Sequence, residues 1–75
     1  MSRNNLIGVV RYKRMYYVMS DLNADTEWNY AACVQYIHTQ RAVCKKRRAS
    51  ALLIAHNIQK QIDTEYGVRE IPLTQ

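Results

Sequence analysis

The stretch from Leu6 to Met19, LIGVVRYKRMYYVM, constrains the fold more than any other. Val, Ile, Tyr and Met dominate it, and these side chains suit a pleated, half-buried backbone. A basic break at Tyr12, Lys13 and Arg14 divides the stretch into two short strands that can fold back as a hairpin. The break contains no Asn-Gly pair, so the turn chemistry leaves the strand register open.

SDLNADTEWN follows, with the polar residues of a connection, and Asp25 or Thr26 is a natural N-cap. The pattern predicts a first helix from about Thr26 to Thr39. Tyr30, Val34 and Ile37 recur at i, i+4 and i+7, with Trp28, Ala31 and Cys33 beside them, which gives one broad apolar face for the hairpin. A second helix carries Ala51, Ile54, Ala55, Ile58 and Ile62 on one stripe. Its start lies between Ala42 and Ser50, and Gly67 marks its stop. VREIPL, residues 68 to 73, alternates like a short strand, with Pro72 suited to its edge or end.

The expected fold class is therefore α+β: a small three-stranded antiparallel sheet with two helices on one face, in the order ββααβ. The rival is a helix-turn-helix with the hairpin as a wing. The absence of Gly from the interhelical HTQRAV weakens it.

A chain of 75 residues allows a single domain, residues 1–75, at a size where folding buries only about 60% of the unfolded surface. With 48% hydrophobic and 23% charged residues it reads as a soluble globular chain. The apolar run from Leu6 to Val10 stops at Arg11 and is too short for a secretory core, and Ala51 to Ala55 is too short to span a bilayer, so no membrane role and a cytoplasmic location are expected. On that basis Cys33 and Cys44 are expected as reduced thiols.

The formal charge of +5 directs attention to anionic partners: nucleic acid, acidic protein or anionic lipid. RAVCKKRR places Arg41, Lys45, Lys46, Arg47 and Arg48 within eight positions. On a helix, Arg41, Lys45 and Arg48 share one face while Lys46 and Arg47 widen the band. Cations at a helix N-terminus oppose the macrodipole and repel one another, a cost that an anionic partner would relieve. The simpler alternative is a solvated face that aids solubility.

A second basic group, Arg11, Lys13 and Arg14, lies among Tyr12, Tyr16 and Tyr17. Cations interleaved with tyrosines suit single-stranded nucleic acid, where charge tracks phosphate and rings stack on bases. They equally suit a protein interface, or, since the chain has no Phe, some of these rings fill the core. The partner-binding candidates are thus Arg11, Tyr12, Lys13, Arg14, Tyr16, Arg41, Lys45, Lys46, Arg47 and Arg48. No base-reading device accompanies them.

Cys33, His38, Cys44 and His56 match no paired metal-ligand spacing, and the six carboxylates form no obvious acid–base pair. No phosphate loop or nucleophile elbow is present, so no metal, cofactor or catalytic residue is expected.

Two segments, IGVVRYKRMYYVMSDLNADTEWN at residues 7 to 29 and ASALLIAHNIQKQIDTEYGVREI at 49 to 71, resemble small bacteriophage accessory proteins. In size, charge and layout the chain is similar to the transcription-regulator family of lytic Xanthomonas phages. That resemblance implies a non-enzymatic protein that binds host RNA polymerase in the bacterial cytoplasm, displaces the promoter-specificity subunit and promotes read-through of terminators. It carries over no individual binding residue. Contact with DNA or RNA through phosphates, and antagonism of a host defence complex, stand as the alternatives.

Overall fold

The computed structural model describes residues 4–40 and 42–73, and Arg41 lies outside the described residues. Its elements are β1 (Asn5–Tyr12), β2 (Met15–Asn23), α1 (Tyr30–Thr39), β3 (Val43–Lys45), α2 (Arg48–Gln61) and β4 (Val68–Glu70). The α+β class and the two helices agree with expectation. The sheet does not: it has four strands in the order β3-β2-β1-β4, and the chain runs ββαβαβ. β1–β2 and β2–β3 pair antiparallel while β1–β4 pair parallel, so the sheet is mixed.

The expected hairpin forms across Tyr12–Met15, with Lys13 (φ +50°) and Arg14 (φ +67°) as its two turn residues. Two consecutive left-handed residues match the right-handed strand twist and fix the pairing. Lower in the hairpin, β2 carries one more residue than β1 between the Leu6–Leu22 and Gly8–Met19 pairs, and Asp21 in that bulge has φ +56°.

The helices cover opposite faces of the sheet instead of sharing one. Leu6, Val10, Met19 and Leu22 form a core with Cys33, packed by Trp28, Tyr36 and Ile37 from α1 and the segment before it. Ile7, Val9 and Val18 form a second core with Ala51 and Ala55, packed by Leu52, Ile54 and Ile58 of α2. Alternate β1 residues point to opposite faces, so its run of consecutive apolar residues demands cover on both sides. The sheet separates α1 from α2, which removes the helix-turn-helix alternative. Gly8 faces the α1-side core with no room for a side chain: a Cβ there would lie 2.8 Å from Leu22 Cδ1 and 2.9 Å from Ile71 Cδ1.

α1 begins at Tyr30 and not near Thr26, because Asn29 supplies the cap: its side chain accepts a hydrogen bond from the Ala32 amide. Cys33 is buried, as its small apolar character suggested, while Val34 is only half-buried. α2 starts at Arg48 and ends at Gln61, before Gly67. Gly67 (φ +66°) instead turns the connecting loop into β4, where its carbonyl accepts from the Ile7 amide at 2.9 Å. The last strand is shorter than the alternation of residues 68 to 73 implied, ending at Glu70.

Asn5, the buried polar residue of the core, ties this loop down. Its amide donates to Asp21 Oδ1 at 2.8 Å and to the Asp63 carbonyl at 3.0 Å, and its Oδ1 accepts from the Glu65 amide at 3.1 Å. Replacing it leaves the Asp63 carbonyl, the Glu65 amide and an Asp21 carboxylate oxygen without these partners at part-buried positions, and such a loss costs about 1–3 kcal/mol per group where water cannot reach. Asn5→Ala should therefore lower the unfolding free energy by roughly 2–4 kcal/mol in denaturant titration. Ile7→Ala, which opens a void under α2, should cost about 2–5 kcal/mol. A wild-type midpoint in either variant would contradict the packing described.

Candidate binding surface

The hairpin register places Arg11 of β1 beside Tyr16 of β2, and Tyr16 beside Lys45 of β3. Adjacent strands lie about 4.8 Å apart, so this three-residue row brings the two basic segments of the sequence within about 10 Å of one another. Lys13 and Arg14 close the hairpin above the row, and Lys46 and Arg47 continue from β3 toward α2. All six cations are exposed.

The basic cluster is not the helical band that its spacing suggested. Lys45 ends a strand, Lys46 and Arg47 lie in a bend, and only Arg48 is helical. The common helical face expected for Arg41, Lys45 and Arg48 therefore does not join Lys45 to Arg48, and Arg41 lies outside the described residues. Val43 and Cys44 drive the change: they give the chain a short β-favouring run that can pair with the open side of β2.

Arg11 and Lys13 each engage a ring. The Arg11 guanidinium lies 5.8 Å from the Tyr16 ring centroid and Lys13 Nζ 5.3 Å from that of Tyr12. Tyr16 is half-buried against the α2-side core. Tyr12 points to the other face, with ring centroids 6.2 Å from Tyr17, 6.1 Å from Tyr30 and 6.3 Å from His38. The two tyrosines thus serve as packing and as supports that hold cations in place. A ring free on both sides, as base stacking prefers, is not what this geometry offers.

Arg48 departs from the other cations. It makes a bidentate pair with Glu70, Nε to Oε1 at 2.6 Å and Nη2 to Oε2 at 2.7 Å, linking the first turn of α2 to β4. The hydrogen bonds from Arg48 hold the Glu70 carboxyl below the usual glutamate value, and the same contact pushes the guanidinium up. Glu70, an unforeseen member of this end of the sheet, lies 22 residues beyond its partner, too far for helical or hairpin spacing to reveal. Arg47, the N-cap of α2, makes no side-chain capping bond, and the first turn has no acidic residue. Val43, 41% exposed, is a member of this surface that the sequence reading did not name, and Cys44, expected as a reduced thiol, is free and exposed on β3 beside it.

Cys44 stands opposite Tyr17. Its hydrogen bond, followed by burial, raises the Tyr17 phenol above its ordinary value. Burial likewise raises the Cys33 thiol, which favours its neutral form at physiological pH.

Four of the six acidic residues belong to segments near the other end of β1. Asn5 pairs with Asn23 there. The Asp21 carboxylate accepts from Asn5, whereas Asp63 and Glu65 bond Asn5 through a backbone carbonyl and a backbone amide, and the Asp25 amide donates to Asn23 Oδ1 at 2.9 Å. Six exposed cations thus lie toward the hairpin end of the sheet, while Asp21, Asp25, Asp63 and Glu65 belong to segments at its other end. Among the described residues no group of three or more His, Cys, Asp or Glu side chains converges to hold a metal ion, and no helix is long and apolar enough to cross a membrane.

Because the folded Glu70 value is depressed, its pairing contributes above the unfolded-state value and is lost as pH falls through the folded one. Arg48 stays charged throughout that window. Carbon-detected NMR should show Glu70 titrating below an ordinary glutamate, and Arg48→Gln should move it back up. An ordinary Glu70 midpoint in the wild type would show that the pair does not persist in solution. Comparison of the chain with protein-family models, with curated proteins and with solved structures finds no match.

Proposed function

We propose that this chain is a non-catalytic, phage-type transcription regulator whose basic hairpin end docks on an acidic surface of the host bacterial RNA polymerase and alters initiation or termination. The supporting observation is the convergence of Arg11, Lys13, Arg14, Lys45, Lys46 and Arg47 at one end of the sheet, away from the carboxylates around Asn5. The choice of polymerase rests on the family resemblance of residues 7 to 29 and 49 to 71. Tyrosine-backed cations favour a protein surface, because rings already packed against neighbours present little area to bases. Such a protein acts by occupancy: steered by charge, it takes a site that another subunit or a conformational change would use.

The test is titration of labelled protein into nuclease-treated bacterial RNA polymerase at physiological salt, with a random DNA duplex in parallel. Binding to polymerase at about micromolar affinity or tighter, with weak duplex binding, is the expected result. Neutralising Lys45, Lys46 and Arg47 together to Gln should leave the denaturation midpoint unchanged or slightly raised and weaken polymerase binding by at least about tenfold. Tight duplex binding with a log–log salt slope near about −5, as six phosphate contacts would give, together with no polymerase binding, would replace this reading by a phosphate-binding module.

A further inference from the structure

The hairpin turn determines which backbone groups of β3 face outward. Tyr12 and Met15 flank a two-residue turn and so exchange both main-chain hydrogen bonds. Alternation then directs the amide and carbonyl of Tyr17 to β1, and those of Tyr16 and Val18 to β3. The same alternation on β1 turns Ile7 and Val9 toward β4, where the Ile7 amide does reach the Gly67 carbonyl and the Val9 carbonyl accepts from the Ile71 amide. Since Val18 pairs with Val43 and Tyr16 with Lys45, the backbone groups of Val43 and Lys45 are used by β2. Those of Cys44 point away from the sheet, as do those of its neighbours Ala42 and Lys46 if the strand geometry is extended by one residue each way.

β3 is therefore an open edge, and Val43, Cys44 and Lys45 are all exposed along it. Exposed edges invite pairing, and proteins protect them by shortness and by lysine. β3 has both protections, but they are selective. Lys45, Lys46 and Arg47 repel a second copy of the same edge while attracting a strand that carries carboxylates. Val43 and Lys45 project on the α2 side and Cys44 on the α1 side, so the edge presents one apolar and one cationic position on a single face.

We propose that β3 receives an extended acidic segment of the partner protein, added as a fifth strand, with a carboxylate facing Lys45 and an apolar side chain facing Val43. This deepens the polymerase-docking reading and rests on it for the partner's identity. Main-chain bonds to Cys44 would supply the attachment and the alternating pockets the selectivity, which is the general logic of strand addition. The adjacent row of Arg11 and Tyr16, with Lys46 and Arg47 at its flank, would then meet acidic residues beside the added strand.

Proline at position 44 removes the outward N–H while sparing the bonds from Val43 and Lys45 to β2, and alanine there removes only the thiol. Cys44→Pro should weaken binding to nuclease-treated polymerase by roughly fivefold to a hundredfold relative to Cys44→Ala. In wild-type protein, hydrogen exchange at the Cys44 amide should slow in the complex, a readout that survives if the proline variant fails to fold. A short peptide alternating glutamate and valine should perturb Cys44 and Lys46 amide resonances where its lysine–valine counterpart does not. Equal affinity of folded Pro and Ala variants, or unprotected Cys44 exchange in the complex, overturns edge docking while leaving polymerase binding intact. No polymerase binding, but selective response to the acidic peptide, overturns the partner and keeps the edge.

Discussion

Burial of β1 on both faces is the constraint on which the rest of the structure depends. Leu6, Ile7, Val9 and Val10 are each nearly inaccessible to solvent, and consecutive strand residues cannot all be buried by one layer. The chain meets the requirement with one helix per face, and this decides its connectivity. β3 must lie at one edge and β4 at the other, with α2 crossing the sheet between them. Both helices are consumed in covering the sheet, so what is left for recognition is the hairpin end, the strand edges and the outer helix faces. The proposed docking uses the first of these, where exposed cations are concentrated, and the β3 edge beside it.

Much of this was legible before the structure. The Val, Ile and Tyr content on either side of Tyr12–Arg14 gave the hairpin, and the Ala51, Ile54, Ala55, Ile58, Ile62 spacing identified the stripe of α2 that packs on the sheet. The turn itself was harder to read. Left-handed backbone usually advertises itself through Gly or Asn, whereas here Lys13 and Arg14 adopt it. β3 was obscured by its surroundings, because three residues of strand inside a run of cations carry too little periodicity to outweigh helical spacing. The two-sided cover was available in principle: Leu6 to Val10 is apolar without alternation, the signature of a strand buried on both faces. As one arm of a half-exposed hairpin the same run needs cover on one side only, which is why both helices are expected on one face.

The candidate site divides in the same way. Composition sufficed to nominate the two basic segments, but only the β2–β3 register unites them, and that register depends on a strand that spacing did not reveal. Arg48 shows why charge counting misleads. It belongs to the cluster in sequence, yet Glu70 occupies its guanidinium in a planar, bidentate contact, so its donors toward a partner are reduced. The aromatic residues divide likewise, with Tyr12 and Tyr16 each carrying a cation on the ring while their remaining surface packs inward.

Charge separation within the domain changes what its net charge means physically. β1 spans eight residues, about 26 Å at strand rise, which is several Debye lengths at physiological salt. A surface approaching the hairpin end therefore senses six cations and little of the carboxylates around Asn5. The local field at the hairpin end exceeds what +5 spread evenly over the molecule would produce. Local steering of this kind raises the rate of encounter with an anionic surface without any stronger final contact. Like charges at two hairpin ends, and the Lys45–Arg47 run along the edge, oppose pairing of β3 with its own copy. A domain with so small a core can then keep an open strand edge while remaining available to a partner of opposite charge.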